Sequence, residues 1–342
     1  MLTPDKLSYI DMSALEQPYL VVVIDTEEDF DWSQDFDRKN TNVHSVEFIK
    51  RGQQVFDDFN IKPVYVVDYA IVSQLDGYKL LRNIYQNGRC EIGVHLHPWV
   101  TPPFKEKVNR NNSFAGNLPL KLEKEKIILT CEVIEHVFGK RPKIYKAGRY
   151  GVGPNTTKIL EDLDFEIDLS VCPGMNFSSE GGPDFTDYGP MPFWFGQHLQ
   201  MLELPLTNGF TGVFSKYSKK LYKLISAPLA SQVHAPGIAA RLGLLNKICL
   251  SPEGFTISEL TKLTQVLYAD GLRIFSFSFH SPSLDIGKTP YVKTNKDLEE
   301  FLHRLETFFN FFLNELGGQS VTPIELKNQI LQHPKLRNKE NS

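Results

Sequence analysis

The chain has 342 residues with 37 basic and 41 acidic side chains, and its net charge of −4 excludes the cationic footprint of a nucleic-acid or anionic-membrane binder. Apolar residues at 41% and charged residues at 23% describe an ordinary soluble globular protein, long enough for two average domains or one large barrel. Cys90, Cys131, Cys172 and Cys249 form no CxxC pair, so free thiols are expected rather than a disulfide framework or a zinc knuckle.

At the start, MLTPDKLSYIDMSALEQPYL mixes acids and a proline where a secretory signal needs a basic start and an apolar stretch. No run reaches the ~18 apolar residues of a membrane span. A cytoplasmic protein is expected. Seven apolar, β-rich runs then follow along the chain: PYLVVVI (18–24), KPVYVVD (62–68), CEIGVHL (90–96), PKIYKAG (142–148), FEIDLSV (165–171), LQMLELPL (199–206) and LRIFSFSF (272–279). Several are almost continuously apolar, as are strands buried on both faces of a parallel sheet.

Helical patterns alternate with these runs over about 43–59, 69–86, 119–138, 154–163, 256–270 and 297–316. Thr256 and Glu259 form a capping box for the fifth. In the last, Leu298, Phe301, Leu302, Leu305, Phe308, Phe309, Phe312 and Leu316 make one buried face, stopped by Gly317 and Gly318. Two stretches interrupt the alternation. Residues 173–198, rich in Gly, Pro, Ser and aromatics, read as a long loop over the barrel mouth. Its Phe193, Trp194 and Phe195 are either a sugar-stacking platform or a lid packed on the barrel. Residues 208–255 hold SKYSKKLYKLI, read as a solvated helix face, and 330–342 form a polar tail. The alternation predicts one α/β domain, with the barrel over about 18–320, either closed, incomplete or an open wound sheet. In each case function gathers at the C-terminal ends of the strands.

Ionisable residues stand at those ends. Asp25 follows VVVI, His95 and His97 end the third run, Arg149 follows KIYKAG and His280 follows IFSFSF. Positions i and i+2 of a strand share a face, so His95 and His97 look the same way. Alone, the pair is read equally well as a core or loop histidine beside a solvated one, or as two metal ligands. The carboxylate-rich DTEEDFDW (25–32) would alone be a solvated turn. Facing the histidines across adjacent strands, it supplies one or two oxygen ligands and a further carboxylate to accept a proton from water. Convergence of such groups on one edge of four strands favours a site.

Taken in order, VIDTEEDF, GVHLHPW, AGRYG, LELPL and FSFHSPSL resemble the five motifs of NodB-homology polysaccharide deacetylases, over about residues 18–285. The resemblance implies a distorted (β/α)7 barrel with a mainly parallel sheet. It also implies hydrolysis of N- or O-acetyl groups on sugars with the help of a divalent metal, zinc being the first choice; for the N-acetyl case this makes the chain a hydrolase of non-peptide C–N bonds. Position by position, it makes Asp25 the catalytic base, Arg149 the arginine that orients it, and His280 the proton donor to the leaving group. Asp168 would orient His280 and raise its pKa. Thr26 stands where most members have a metal-binding aspartate, and relatives with Asp-x-Asp or Asp-x-Glu make Glu27 the ligand instead. Trp99 stands where a second histidine is usual, so His97 takes that place by the strand-face argument. The implied partner is a carbohydrate: a polysaccharide, a glycolipid head group or a nucleotide-sugar precursor. A related hydrolase of another C–N or ester bond and a catalytically silent sugar-binding relative stay open.

Overall fold

All seven apolar runs become strands of one sheet in the computed structural model, which describes residues 7–31, 34–214, 237 and 241–333. They are β1 (Tyr19–Thr26), β2 (Val64–Val67), β3 (Glu91–Leu96), β4 (Ile144–Ala147), β5 (Ile167–Asp168), β6 (Met201–Glu203) and β7 (Ile274–His280). Their hydrogen-bonded order is β6-β5-β4-β3-β2-β1-β7, and every pairing is parallel. Because β1 pairs with both β2 and β7, the sheet curls until the first and last barrel strands lie side by side.

The gap between β6 and β7 is closed without a ladder. Thr207 N–H donates to the Ser276 carbonyl at 3.4 Å and Ser276 N–H to Thr207 Oγ1 at 2.8 Å. Ser278 N–H donates to the Leu250 carbonyl at 3.2 Å. The result is a distorted (β/α)7 barrel with one seam.

Helices cover the outside: α1 (Ile49–Asp58), α2 (Leu75–Gln86), α3 (Leu120–Phe138), α4 (Thr156–Asp162), α5 (Ile257–Ala269) and α6 (Asn295–Asn310). The Thr256–Glu259 capping box is present, and α6 passes through one π-helical turn before Gly317, whose φ of 73° ends it. A further helix, α7 (Pro323–Gln332), starts on a Thr322–Glu325 capping box. Along β7, Phe275, Phe277 and Phe279 pack outward on Phe312, Phe308 and Phe301, with ring centroids 5.5, 4.9 and 5.3 Å apart. By strand parity Ser276, Ser278 and His280 face the barrel.

Residues 173–198 are not one loop. Phe193–Phe195 form a strand antiparallel to β6, and Ser8–Tyr9 pairs with it in turn. Phe193, Trp194 and Phe195 are buried, so packing is what they do and no stacking platform is presented. In the second stretch, Asn208–Thr211 and Asn246–Cys249 make an antiparallel ribbon. The SKYSKKLYKLI run and the tail beyond residue 333 lie outside the described residues. All four cysteines are free, and among the described residues no helix is long and apolar enough to cross a membrane.

Candidate active site

Glu27 follows the last residue of β1, His95 lies in β3 and His97 one residue past it, and all three are at most 3% exposed. Nε2 of His95 is 3.6 Å, and Nε2 of His97 3.4 Å, from Glu27 Oε2. Donors about 2.1 Å from a shared tetrahedral ion sit about 3.4 Å apart, so this spacing is that of a coordination shell. The other ring nitrogens are occupied: Nδ1 of His95 meets the Lys146 carbonyl at 3.1 Å and Nδ1 of His97 meets Glu28 Oε2 at 2.7 Å. Both Nε2 atoms are thereby turned inward. His97 Nε2 is buried and has no hydrogen-bond partner. Such an orphan is rare in a folded interior and fits a missing ligand.

Electrostatics agree with that donor set. Burial holds both imidazoles below the ordinary histidine pKa and so keeps them neutral. Burial resists ionisation of Glu27, but His280 and the two neighbouring histidines outweigh it and hold its carboxyl below the usual range. Two neutral imidazoles and a carboxylate could hold a divalent ion. Gly148 makes room for them, because a Cβ there would run into the His97 ring and the Leu96 carbonyl.

Of the two departures from the family pattern, Trp99 is a support and Thr26 bonds within its own strand. Trp99 stacks on His97 at 4.2 Å between centroids and donates Nε1–H to Glu28 Oε1 at 2.7 Å. Thr26 turns its hydroxyl to the Ile24 carbonyl at 3.1 Å. Behind them, burial together with the Glu27 charge pushes Glu28 up to about 7. Burial also carries Asp68 well above its ordinary value, while it caps the short helix Tyr69–Val72.

Asp25, 3% exposed, is gripped by Lys146, whose Nζ lies 2.6 and 2.7 Å from its two carboxylate oxygens. Burial opposes the Asp25 charge, and Lys146, His95 and His280 outweigh it, so the carboxyl is held below its ordinary pKa. Lys146 is in register with His95 and faces the barrel as His95 does. Arg149, expected in this role, is elsewhere. Its guanidinium donates to the Ser113 hydroxyl and the Glu180 carboxylate and lies 4.0 Å over the Phe114 ring. The reason is local: Arg149 sits in the turn beyond β4 with a left-handed φ of 54°, which swings its side chain to the rim. A lone lysine inside an apolar strand was the signal for Lys146.

His280 ends β7 in register with Asp25, its Nε2 3.8 Å from Asp25 Oδ2. Glu253 holds it twice, accepting from Nδ1–H at 2.8 Å and from the backbone N–H at 3.1 Å. The Ser283 hydroxyl donates to the same carboxylate. Burial pulls the His280 pKa down, but the charges of Glu253, Glu27 and Asp25 win and push it up to about 10. Asp168, expected beside His280, is not there. It is in register with Tyr145, the residue before Lys146, so its side chain leaves the opposite face of the sheet. There it accepts from Ser170 N–H at 3.1 Å and adjoins Glu203, and burial raises its pKa. Glu253 lies in a turn without periodic pattern, so only its distant contacts reveal it.

A cleft of about 380 Å³ opens beside Ser278, His280 and Glu253, with mostly apolar and aromatic walls that include Tyr150, Phe177 and Tyr291. The mouth therefore gathers three groups that could hold a metal ion, a carboxylate salt-bridged to lysine, and a histidine whose pKa is pushed up, a set suited to hydrolytic acid–base chemistry.

No protein-family model matches the chain, and no curated protein matches it by sequence. Solved structures match in fold. A candidate polysaccharide deacetylase from Mycobacterium smegmatis is 15% identical with a TM-score of 0.53, over 100% of this chain and 99% of that one. Puue allantoinase is 13% identical at 0.54, over 93% and 91%. A candidate glycoside hydrolase/deacetylase from Parabacteroides distasonis is 13% identical at 0.58, over 96% and 74%. This chain shares their barrel.

Proposed function

We propose that this barrel is a metal-dependent carbohydrate deacetylase that hydrolyses N-acetyl groups on a sugar, with one catalytic domain over about 18–320 and a cytoplasmic address. One observation carries the reading: Glu27, His95 and the orphaned Nε2 of His97 share a mouth with the Asp25–Lys146 pair and the charged His280. A divalent ion, zinc first, bound by Glu27, His95 and His97 would polarise the acetyl carbonyl and make a water more acidic.

The chain's own residues do the rest. Asp25, kept ionised by Lys146, accepts a proton from the attacking water while the new C–O bond forms. His280 donates its Nε2 proton to the sugar nitrogen as the C–N bond breaks, leaving acetate and a free amine. The 3.8 Å between His280 Nε2 and Asp25 Oδ2 lets the proton on Asp25 return to the imidazole. Glu253 fixes the ring and keeps it charged. Lys146 takes the orienting role first assigned to Arg149, and Glu253 the one assigned to Asp168.

Hydrolysis of a different C–N bond is the second reading, supported by the likeness to an allantoinase and by the apolar cleft walls. A silent sugar-binding module would have no use for a base, its lysine and a charged acid on three strands. Protein purified without chelator should carry about one divalent ion per chain and release acetate from N-acetylhexosamine oligosaccharides or nucleotide sugars. Turnover of allantoin or a simple amide without acetate release selects the second reading, and absence of both metal and turnover removes both.

A further inference from the structure

We propose that Ser278 is a catalytic residue: its hydroxyl, polarised by Lys146, donates a hydrogen bond to the acyl oxygen as the carbonyl carbon becomes tetrahedral. The proposal rests on the hydrolase reading of the site but comes from a separate observation. Phe275, Phe277 and Phe279 occupy the outer face of β7, so Ser278 and His280 project from the inner face two residues apart. Ser278 Oγ lies 3.2 Å from Lys146 Nζ. An ammonium only donates, so the serine oxygen is the acceptor there and its own proton points elsewhere. Among the described residues no acceptor takes that proton. Ser278 is 7% exposed and lines the cleft beside His280. What satisfies its hydroxyl is what enters the cleft.

Lys146 links this donor to the base. In the resting site its charge is offset by the Asp25 carboxylate at 2.6 Å. When Asp25 takes the proton from water, that negative partner is neutralised while the carbonyl electron pair moves onto oxygen. The uncompensated ammonium then acts on Ser278 and, through it, on the new oxyanion. The hydrogen bond thus strengthens as charge develops, which is the requirement for lowering a barrier rather than merely binding substrate. Ser278 keeps its proton throughout, and the atoms balance without another reagent.

The test compares wild type with Ser278→Ala and Ser278→Thr in metal-loaded protein. Ser278→Ala should lower kcat for acetate release by about 100-fold, the scale of one oxyanion donor, with KM within about threefold and metal content unchanged. Ser278→Thr, which keeps a hydroxyl, should recover most of the loss. Acetate titrated into each protein and followed by NMR should bind about tenfold more weakly to Ser278→Ala, one hydrogen bond's worth. A kcat within threefold of wild type overturns the proposal, as does a loss shared equally with metal content. If the wild type turns over no substrate, the functional reading fails by itself. Acetate binding then decides Ser278, and equal or undetectable binding in wild type and Ser278→Ala overturns it.

Discussion

Across the barrel mouth the proposed metal side, Glu27, His95 and His97, and the proposed acid side, His280, are held by different means. Glu27, His95 and His97 lie in β3 or one residue beyond β1 and β3; Glu28 and Trp99, just past the same two strands, and the Lys146 carbonyl of the neighbouring β4 back them. On the other side the His280 side chain is 33% exposed, and its partner Glu253 comes from a turn 27 residues earlier. The cleft walls there belong to loops as well. Strand ends fix positions to within a side-chain rotamer, and loops set protonation and what fits. The metal side should therefore fail completely when altered and the acid side by degrees.

The largest effect is expected at His97. His97→Ala should abolish stoichiometric metal and cut turnover by about 1,000-fold or more, with the circular-dichroism spectrum retained. Stoichiometric metal in that variant would break the contrast. Asp25→Asn should cost about 100- to 10,000-fold with metal still bound, since an amide accepts no proton from water. Lys146→Met leaves the Asp25 carboxylate buried without its counter-ion, a loss of about 3–5 kcal/mol in urea unfolding. It should also raise the Asp25 pKa and shift the acidic limb of the pH–rate profile upward.

The acid side sharpens the comparison more gently. His280→Ala should lower turnover by about 100-fold, partly rescued by substrates with better leaving groups. Glu253→Gln should move the alkaline limb down, because the largest of the charges that raise the His280 pKa is gone. The sign for stability follows: a raised histidine pKa contributes stability below about pH 6.5, lost as pH climbs through about 10. In Glu253→Gln the Tm difference from wild type should accordingly shrink between those values. The smallest effect belongs to Arg149→Ala, whose side chain never reaches Asp25, with kcat expected within about tenfold of wild type. A larger fall, with KM unchanged, would return the orienting role to Arg149.

Much of the barrel was legible because each strand is a short apolar run between helical periods. His95 and His97 were legible by the same period-two rule that places Ser278 with His280. That rule, applied jointly to IYKAG and FEIDLSV, also separates Lys146 from Tyr145 and Asp168, but only once the register between β4 and β5 is known. Register between strands is a long-range property, and a single sequence does not carry it. Arg149 departed because one left-handed φ redirects a side chain, which motif spacing cannot express. Glu253 had no periodic signal, since a loop carboxylate acquires its role from a strand far along the chain.

The seam bears on motion. A closed hoop must break a full ladder to open, whereas this sheet is rolled and pinned along one edge by Thr207, Leu250, Ser276 and Ser278. Opening there breaks three hydrogen bonds rather than a strand ladder, so it should cost less than parting β1 from either neighbour. The Ser276 and Ser278 amides should exchange with deuterated solvent well before those of Val22 and Val23 in the doubly paired β1. Each such opening would loosen the strand that carries Ser278 and His280, so the edge pinned by the fewest hydrogen bonds is also the one that borders the cleft.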